Sequence, residues 1–581
     1  MKKHKSLLWL FAMILVLSAF LAACGGDDGG ATDDKPAEDD NATEDDATAD
    51  GEPQQGGTLV YGIDAPPEGL FSTAFYGIAT DFEVIELFDE SLINYNENLE
   101  PEPNVASWTT EDNKVFNFKF EEGVKWHNGE ELTVNDWVFA FETLASPDYD
   151  GPRYTNVQTI EGAEAFRNGE ADTISGVEVV NDYEVIVTFD EARVNNLTNL
   201  WSYPLPKSVL GDVPVAEMSA SEWVRSTPIG IGPFKVDKIV PGESVEFSKF
   251  DEYWNGDVNL DKIVLRVIDN SSVVGALQNG DVDMISLQPV SGPEVEPLEN
   301  VEIVTYPGLS YYYVGFKLGK FDNESQTITE ELPKYQSKEL RQAMMYAINR
   351  QEWVDAFFFG YAEVVNKPVP TSHWNAADDA EAELNTYEYD PEKAMEMLDT
   401  AGYVDTDDDG FREDPNGDEF VVKFSHYATG NPTFESRAQA ITQYWEAVGI
   451  KSELEMVEVN LYYEMIEKDD PSIETFFGGW GTGTDPDPSG LWKADQLWNY
   501  PRYNNPEADQ LLDDALNIDI VGTDQQARAD LYIEWQKIVN EDVPMLYIAE
   551  LEEIKALNKR VGGTEYDVSG QNSPAEWFVT E

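Results

Sequence analysis

The sequence predicts an α/β protein divided into two or three lobes, and three observations lead there. At 581 residues the chain is too long for a single hydrophobic core, since cores of that size split into separate domains. Hydrophobic residues make up 41% and aromatic residues 12%, a globular composition rather than a disordered one. Strand-like and helix-like patterns alternate throughout with no fixed-period repeat, which predicts lobes each built around its own sheet.

In chain order, Gly56 and Gly57 lead into β-type residues from Thr58 to Gly62. Phe82, Ile85 and Phe88 share one face of a helix over 81–89. From Trp108 to Phe120 the pattern alternates as a strand, with Val115, Phe116, Phe118 and Phe120, and Gly123 makes a turn. Thr133 to Asp136 enters a helix carrying Trp137, Phe141 and Leu144. Strands are predicted at 184–189, 244–250, 262–268 and 301–306, with a helix at 273–278. Ser337 caps one long helix through Leu340, Ala343, Met344 and Ala347 towards Phe358. Asp390-Pro391-Glu392 starts another helix and Gly402 stops it. A strand follows at 420–424, and late helices at 436–448 and 524–541.

Charge narrows the function. There are 113 Asp+Glu against 37 Lys+Arg, a net −76. Such a field repels nucleic acid and anionic headgroups, so no nucleic-acid partner is expected. A salt-rich or alkaline habitat accounts for this acidity better than an acidic binding patch does.

Lys2, Lys3 and Lys5 precede an apolar run from Leu7 to Phe20, the composition of a secretory leader. Leu21-Ala22-Ala23-Cys24-Gly25 then places the only cysteine behind small residues. This resembles the lipobox of a bacterial lipoprotein. The resemblance implies cleavage before Cys24 and lipid on that residue, holding the protein to the outer face of a membrane. Several acyl chains, at about 0.8 kcal/mol per buried CH₂, make such an anchor stable. The alternatives are a plain signal peptide or a membrane span, although no second apolar run of about 20 residues follows. Residues 24–55 are acidic and unable to bury a core, hence an unfolded, self-repelling tether. A single cysteine leaves no disulfide and no Cys-based metal site.

The catalytic inventory is empty. There is no H-E-x-x-H, G-x-S-x-G, S-x-x-K or G-x-x-x-x-G-K-[ST]. His4, His127, His373 and His426 are too scattered for an evident metal cluster, and His127 beside Asn128-Gly129 reads as a turn residue. Asp405, Asp407 and Asp409, followed by Gly410, have the spacing of a calcium loop. Asn416 stands where that loop would carry a bidentate Glu. A structural Ca²⁺ is thus one reading and a solvated acidic turn the other; no further cofactor is expected.

Several segments together carry a family resemblance. They are Gly123-Val124-Lys125-Trp126-His127-Asn128-Gly129-Glu130 within 112–137, and Pro228-Ile229-Gly230-Ile231-Gly232-Pro233-Phe234. Asp251-Glu252-Tyr253-Trp254-Asn255-Gly256 and Leu277-Gln278-Asn279-Gly280-Asp281-Val282-Asp283 come next. Leu340 to Arg350 and Asp485-Pro486-Asp487-Pro488 complete the set. In this order they resemble the extracytoplasmic solute-binding proteins of ABC importers, specifically the oligopeptide/dipeptide-binding family, from Gly57 to about Val561. The resemblance implies a periplasmic-binding-protein-like fold of class II (cluster C) type: two main α/β lobes joined by a hinge, plus an inserted third lobe. The boundaries it suggests are 1–23 for the signal peptide and 24–55 for the tether. Lobe I takes 56–100, 226–300 and 541–581, lobe II 101–225, and lobe III 301–540. It implies a monomeric binding protein rather than an enzyme, one that captures peptides between closing lobes and delivers them to an ABC transporter permease. Other cargo on the same scaffold (nickel chelates, opines, sugars, haem) and peptide sensing without transport are the alternatives. A cell-surface hydrolase is remote.

The candidate site is the glycine-rich stretch Phe476–Asp485. Its glycines, Gly479 and Gly481 among them, let a ligand backbone come close, with Thr482 beside them. By resemblance, an acidic residue just after this strand pairs with a peptide's N-terminal ammonium, Asp485 first and Asp487 second. The competing reading is that the two Asp-Pro pairs shape a turn. Trp480 and Trp492 line side-chain pockets or belong to the core. A cation for the C-terminal carboxylate is sought in His373, His426 or Arg437. Gly230 and Gly232 are assigned to a chain crossing near the hinge rather than to ligand contact.

Overall fold

In the computed structural model residues 53–580 are described, apart from 323, 429, 430 and 432. The leader, Cys24 and nearly all of the acidic tether lie outside the described residues. No helix among the described residues is long and apolar enough to cross a membrane.

One eleven-stranded sheet runs through most of the body. Its order is Lys451–Glu458, Val421–Ala428, Thr475–Gly481, Val301–Phe316, Met545–Asn558, Met284–Ser286, Thr58–Ile63, Lys262–Val267, Ser244–Lys249 and Phe234–Val240. Ala362–Glu363 adds to Met545–Asn558. A separate sheet for each lobe is therefore not what forms. The cause is the antiparallel pair Val301–Phe316 and Met545–Asn558, 16 and 14 residues long, which crosses from one hydrophobic core into the next. Val301 to Pro307 pairs with Asn558 to Glu552, and Tyr311 to Gly315 with Glu550 to Met545. The register shifts between Pro307 and Tyr311, where proline removes a ladder donor and a Cβ on Gly308 would lie 2.4 Å from the Leu551 carbonyl. The lobe divisions drawn at 300/301 and 540/541 fall at the start of the first of these strands and in the helix just before the second.

Three main cores follow from this layout. The first packs Leu59, Tyr61, Phe234, Phe247, Ile263 and Trp577 under one end of the sheet. The second holds a four-stranded sheet, Ala106–Thr110, Val115–Phe120, Glu184–Thr188 and Val177–Asn181. Helix Val134–Leu144 covers it, with the Trp137 ring 4.9 Å from Phe118 and 4.7 Å from Phe141. The third surrounds Trp353, Trp445 and Trp535 beneath the other end of the large sheet.

Local differences from the sequence reading have local causes. Residues 108–120 form a hairpin rather than one strand: Asn113 takes φ 52° and the Asp112 carboxylate accepts the Lys114 and Val115 N–H groups. Ser337 does cap a helix, accepting the Leu340 N–H at 3.1 Å, but that helix is Lys338–Tyr346 and a second one runs Arg350–Phe358. Asn349 breaks the run because its side chain accepts the Glu352 N–H and starts a new helix. Gly230 and Gly232 pass tightly over another segment: a Cβ on them would come within 2.1 Å and 2.8 Å of Phe88 backbone atoms. His127 braces this crossing. Its Nδ1 accepts the Gly230 N–H at 3.2 Å, so its Nε2–H donates to the Gly232 carbonyl at 2.9 Å. Burial pushes its pKa down to about 4, keeping it neutral, so it does more than shape a turn.

Candidate functional site

Strand Thr475–Gly481 organises the site. On one side it pairs with Val301–Phe316 from Phe316↔Thr475 to Ser310↔Gly481. On the other, Val421–Ala428 accompanies it only at Thr475 and Phe476. Past Phe476 that edge has no strand partner among the described residues; the Tyr462 hydroxyl donates to the Phe477 carbonyl at 2.7 Å, and the main chain beyond it is left for another strand. Not all its glycines serve a ligand. A Cβ on Gly478 would lie 2.5 Å from the Tyr313 ring, and one on Gly479 2.8 Å from the Tyr312 ring. Gly479 therefore accommodates its cross-strand tyrosine, a packing reason for glycine that needs no ligand. Gly481 and Gly483 are exposed, and their nearest neighbours lie at 3.6 and 3.9 Å.

The two acids after this strand differ. Asp485 is fully engaged: Arg528 Nη2 and Nη1 donate to its two oxygens at 2.7 and 3.0 Å. The Thr198 hydroxyl at 2.8 Å and the Asp487 N–H at 3.0 Å complete the set. Burial pushes this carboxyl up and the Arg528 guanidinium more than reverses that, leaving it below the usual range. Thr198 belongs to the segment of the four-stranded core, so Asp485 ties that body to the large sheet; an Arg193–Asn517 bridge does so nearby. Asp487 accepts through Oδ1 alone, from Ser489 N–H at 3.1 Å, Ser489 Oγ–H at 2.6 Å and the Tyr532 hydroxyl at 3.3 Å. Its Oδ2 receives no donor from a described residue. Burial, then the Asp485 charge, raise its pKa.

The aromatic and histidine candidates separate in the same way. Trp492 is 2% exposed and lines a cavity of about 210 Å³ with His373, Gly481, Thr482 and Asp487. Trp480 is half-buried and stacks on Tyr500 at 5.1 Å. His426 is fully buried, stacked on Phe477 at 4.5 Å. It accepts from Arg437 Nε at 3.2 Å, and its Nδ1–H donates to the Tyr427 carbonyl. Burial, helped by Arg437, pushes its pKa down to about 3, so it is a core residue and no cation for a carboxylate. Arg437 is buried against the Phe434 and Phe477 rings. His373 is also buried, its pKa pushed down to about 4 by burial. A histidine neutral at pH 7 offers a carboxylate no positive charge, which weighs against the reading of His373 as the cation.

A cleft of about 750 Å³ opens beside Thr484, with Tyr95, Glu97, Tyr203, Tyr566 and Asp567 in its walls. A 170 Å³ recess adjoins it through Glu86, Tyr203 and Gln571. No Lys, Arg or His lines either space. Three acids crowd this wall. Burial pushes Glu86 and Glu90 up to about 7 and Asp89 up to about 8. Asp89 accepts the Ile231 N–H, and Glu90 accepts from the Tyr253 hydroxyl and the Trp254 indole. Sequence reasoning passed over these acids, although three carboxylates among the apolar residues Val84, Ile85, Leu87 and Phe88 were a legible signal. Arg528 and Thr198 carried none, being brought to Asp485 only by folding.

The acidic loop is the one group of three metal-type ligands among the described residues. Oxygens of Asp405, Asp407 and Asp409 lie within 4.8 Å of one another, all exposed. The loop caps itself: Asp405 accepts from Asp408 and Gly410 N–H, Asp407 from Asp409, and Asp409 from Phe411.

Comparison with known proteins places this architecture. The profile described as Bacterial extracellular solute-binding proteins, family 5 Middle, matches residues 100–526. The oligopeptide-binding protein AppA of Bacillus subtilis (strain 168) is 28% identical over 97% of each chain. Heme-binding protein A of Haemophilus influenzae is 27% identical, covering 80% of this chain and 81% of that one. The structure of Bacillus subtilis AppA in complex with a nonapeptide superposes with a TM-score of 0.71 at 27% identity, covering 91% of this chain and all of that one. The chain belongs to the family 5 bacterial extracellular solute-binding proteins, a family of binding proteins of transporters rather than of enzymes.

Proposed function

We propose that this family member captures oligopeptides outside the cell and delivers them to the permease of an ABC transporter. The observation that carries the reading is the edge of Thr475–Gly481 beyond Phe477, which no strand covers among the described residues and whose extension through Thr484 reaches the cleft of about 750 Å³. An extended peptide added to such an edge is held by main-chain hydrogen bonds, which do not depend on its side chains. The volume lies within the range of about 300–1,000 Å³ usual for ligand pockets. The likeness to a peptide-bound relative over nearly the whole chain supports the same reading.

The protein acts as a monomer, held to the membrane by lipid on Cys24 and set off from it by the acidic tether. It releases its cargo unhydrolysed and needs no cofactor; adding Ca²⁺ is expected to leave its melting temperature unchanged despite Asp405, Asp407 and Asp409. Native mass spectrometry of the purified chain with a mixed oligopeptide pool tests the function. Adducts at many peptide masses are expected. A single small metabolite retained in place of all peptides would overturn the reading.

A further inference from the structure

A second cavity, of about 270 Å³, lies where the four-stranded body meets the large sheet. Trp108, Phe116 and Leu197 wall it from the four-stranded core, and Trp374 walls it from the third core. Thr484 lines both this cavity and the 750 Å³ cleft, so a guest lying in the cleft can send a side chain into it. Arg528 is the one cation among its lining residues. Its Nη1 and Nη2 bond Asp485, and Nη2 also donates to the Tyr532 hydroxyl at 3.0 Å. Its Nε–H has no partner among the described residues, although Arg528 is only 7% exposed. A charged donor buried with its hydrogen bond unmade is costly, which favours a guest that supplies an acceptor.

The walls select among acceptors. Glu100, Asp485 and Asp524 line the same space, and Asp485 already neutralises Arg528, so an acidic side chain would meet uncompensated like charge. Lysyl and arginyl groups carry donors only and cannot answer an N–H. An amide brings two donors of its own among aromatic walls. A small aliphatic side chain leaves Nε unmet and much of the space empty. A phenol meets both demands, with an apolar ring and one oxygen that accepts as well as donates. An apolar cavity of about 150 Å³ is enough for a benzene ring, so this one admits it. Trp374 lies 5.4 Å from the Arg528 guanidinium, which sets an aromatic ring beside the donor.

We propose that this cavity seats a tyrosyl side chain of the guest, its ring among Trp108, Leu197 and Trp374 and its hydroxyl oxygen accepting the Arg528 Nε–H. Walls of the seat come from both bodies, so a tyrosine in it bridges them. The inference rests on the peptide-binding reading above and names the side chain that the site prefers.

Calorimetry on the full-length chain tests the seat with an alanine–glycine hexapeptide, versions carrying one tyrosine at each position in turn, and the phenylalanine counterpart of the tightest of these. At one position or more, tyrosine should tighten binding about ten-fold over the parent peptide. Phenylalanine at that position should bind about three-fold more weakly than tyrosine, or worse, because it leaves Nε unmet. Leu197→Trp fills the cavity from the four-stranded side and should cut the tyrosine advantage to about two-fold or less. Val194→Trp, on the same wall, repeats the comparison should Leu197→Trp fail a thermal-melting check of its fold. If the peptides bind and tyrosine gains nothing at any position, the seat is wrong while peptide capture stands. Phenylalanine matching tyrosine, or an advantage undiminished in the filled variant, also refutes the seat. No binding of any of the peptides refutes both readings.

Discussion

Next to Thr484 of the cleft, Asp485 is buried against a guanidinium, with four hydrogen bonds on its two oxygens. In the adjoining recess Glu86, Asp89 and Glu90 are buried with no Arg, Lys or His among the lining residues. Removing a carboxylate from water is costly in both places. Beside Thr484 the cost is offset by an opposite charge, and the carboxyl stays ionised. In the Glu86–Glu90 wall it is offset by holding protons, so those groups titrate near neutrality. The first arrangement makes a rigid tie between two bodies. The second makes a wall whose charge depends on pH.

Breaking the tie should have the largest effect. Asp485→Ala leaves the Arg528 guanidinium buried without its partner, and a loss of about 3–5 kcal/mol is expected in denaturant unfolding. The paired change Asp485→Leu with Arg528→Met should recover most of it, since no uncompensated charge then remains. A double variant as unstable as the single one would show that the contacts, rather than the charge, hold the bodies together.

The Glu86–Glu90 wall should show itself in pH dependence. Asp89 binds its proton more tightly folded, at about 8, than unfolded, at the ordinary 3.8. Its folding advantage is therefore greatest below the unfolded value and is lost as pH rises through the folded one. Melting temperature should fall from about pH 5 to pH 8, by an amount corresponding to roughly 4 kcal/mol. Asp89→Asn should flatten this slope, because the amide has no charge to release. An unchanged slope would place the titration on other groups.

A smaller effect is expected at Thr198→Val. It removes one hydrogen bond to a charged acceptor, worth about 1.5–3 kcal/mol at most, and Asp485 keeps its three other donors. Small-angle scattering should report a more open average shape if this hydroxyl helps draw the bodies together. The smallest effect belongs to the exposed Lys125–Glu252 pair. Glu252→Gln should cost about 0–1 kcal/mol, which calibrates how little a solvated pair contributes compared with Asp485 and Arg528.

Much of the architecture was legible in residue patterns. The caps at Ser337 and Asp390, the glycine stop at Gly402 and the apolar faces around Trp137 and Phe141 are local signals that survive folding. Gly230 and Gly232 were legible as a crossing because only glycine tolerates a neighbouring backbone that close. The continuity of the large sheet was not legible. Val301–Tyr306 reads as a short strand, and only its partner some 240 positions later in the chain, Met545–Asn558, extends it to Phe316. The site divided likewise. Phe476–Asp487 stands out in the sequence as a candidate, but the contacts within it do not, since Gly479 answers to Tyr312, His426 to Phe477 and Asp485 to Arg528.

By itself the amino-acid order determined which segments form helices and strands, which faces become buried, and where a glycine-rich strand ends in two acids. Those outcomes depend on side chains a few positions apart. Only the tertiary structure decided that Asp485 is neutralised while Asp487 keeps an oxygen unoccupied, and that three acids near Phe88 share a recess with no Lys, Arg or His among its lining residues. Charge compensation acts over a few ångströms of space, and Arg528 reaches Asp485 across 43 residues of chain.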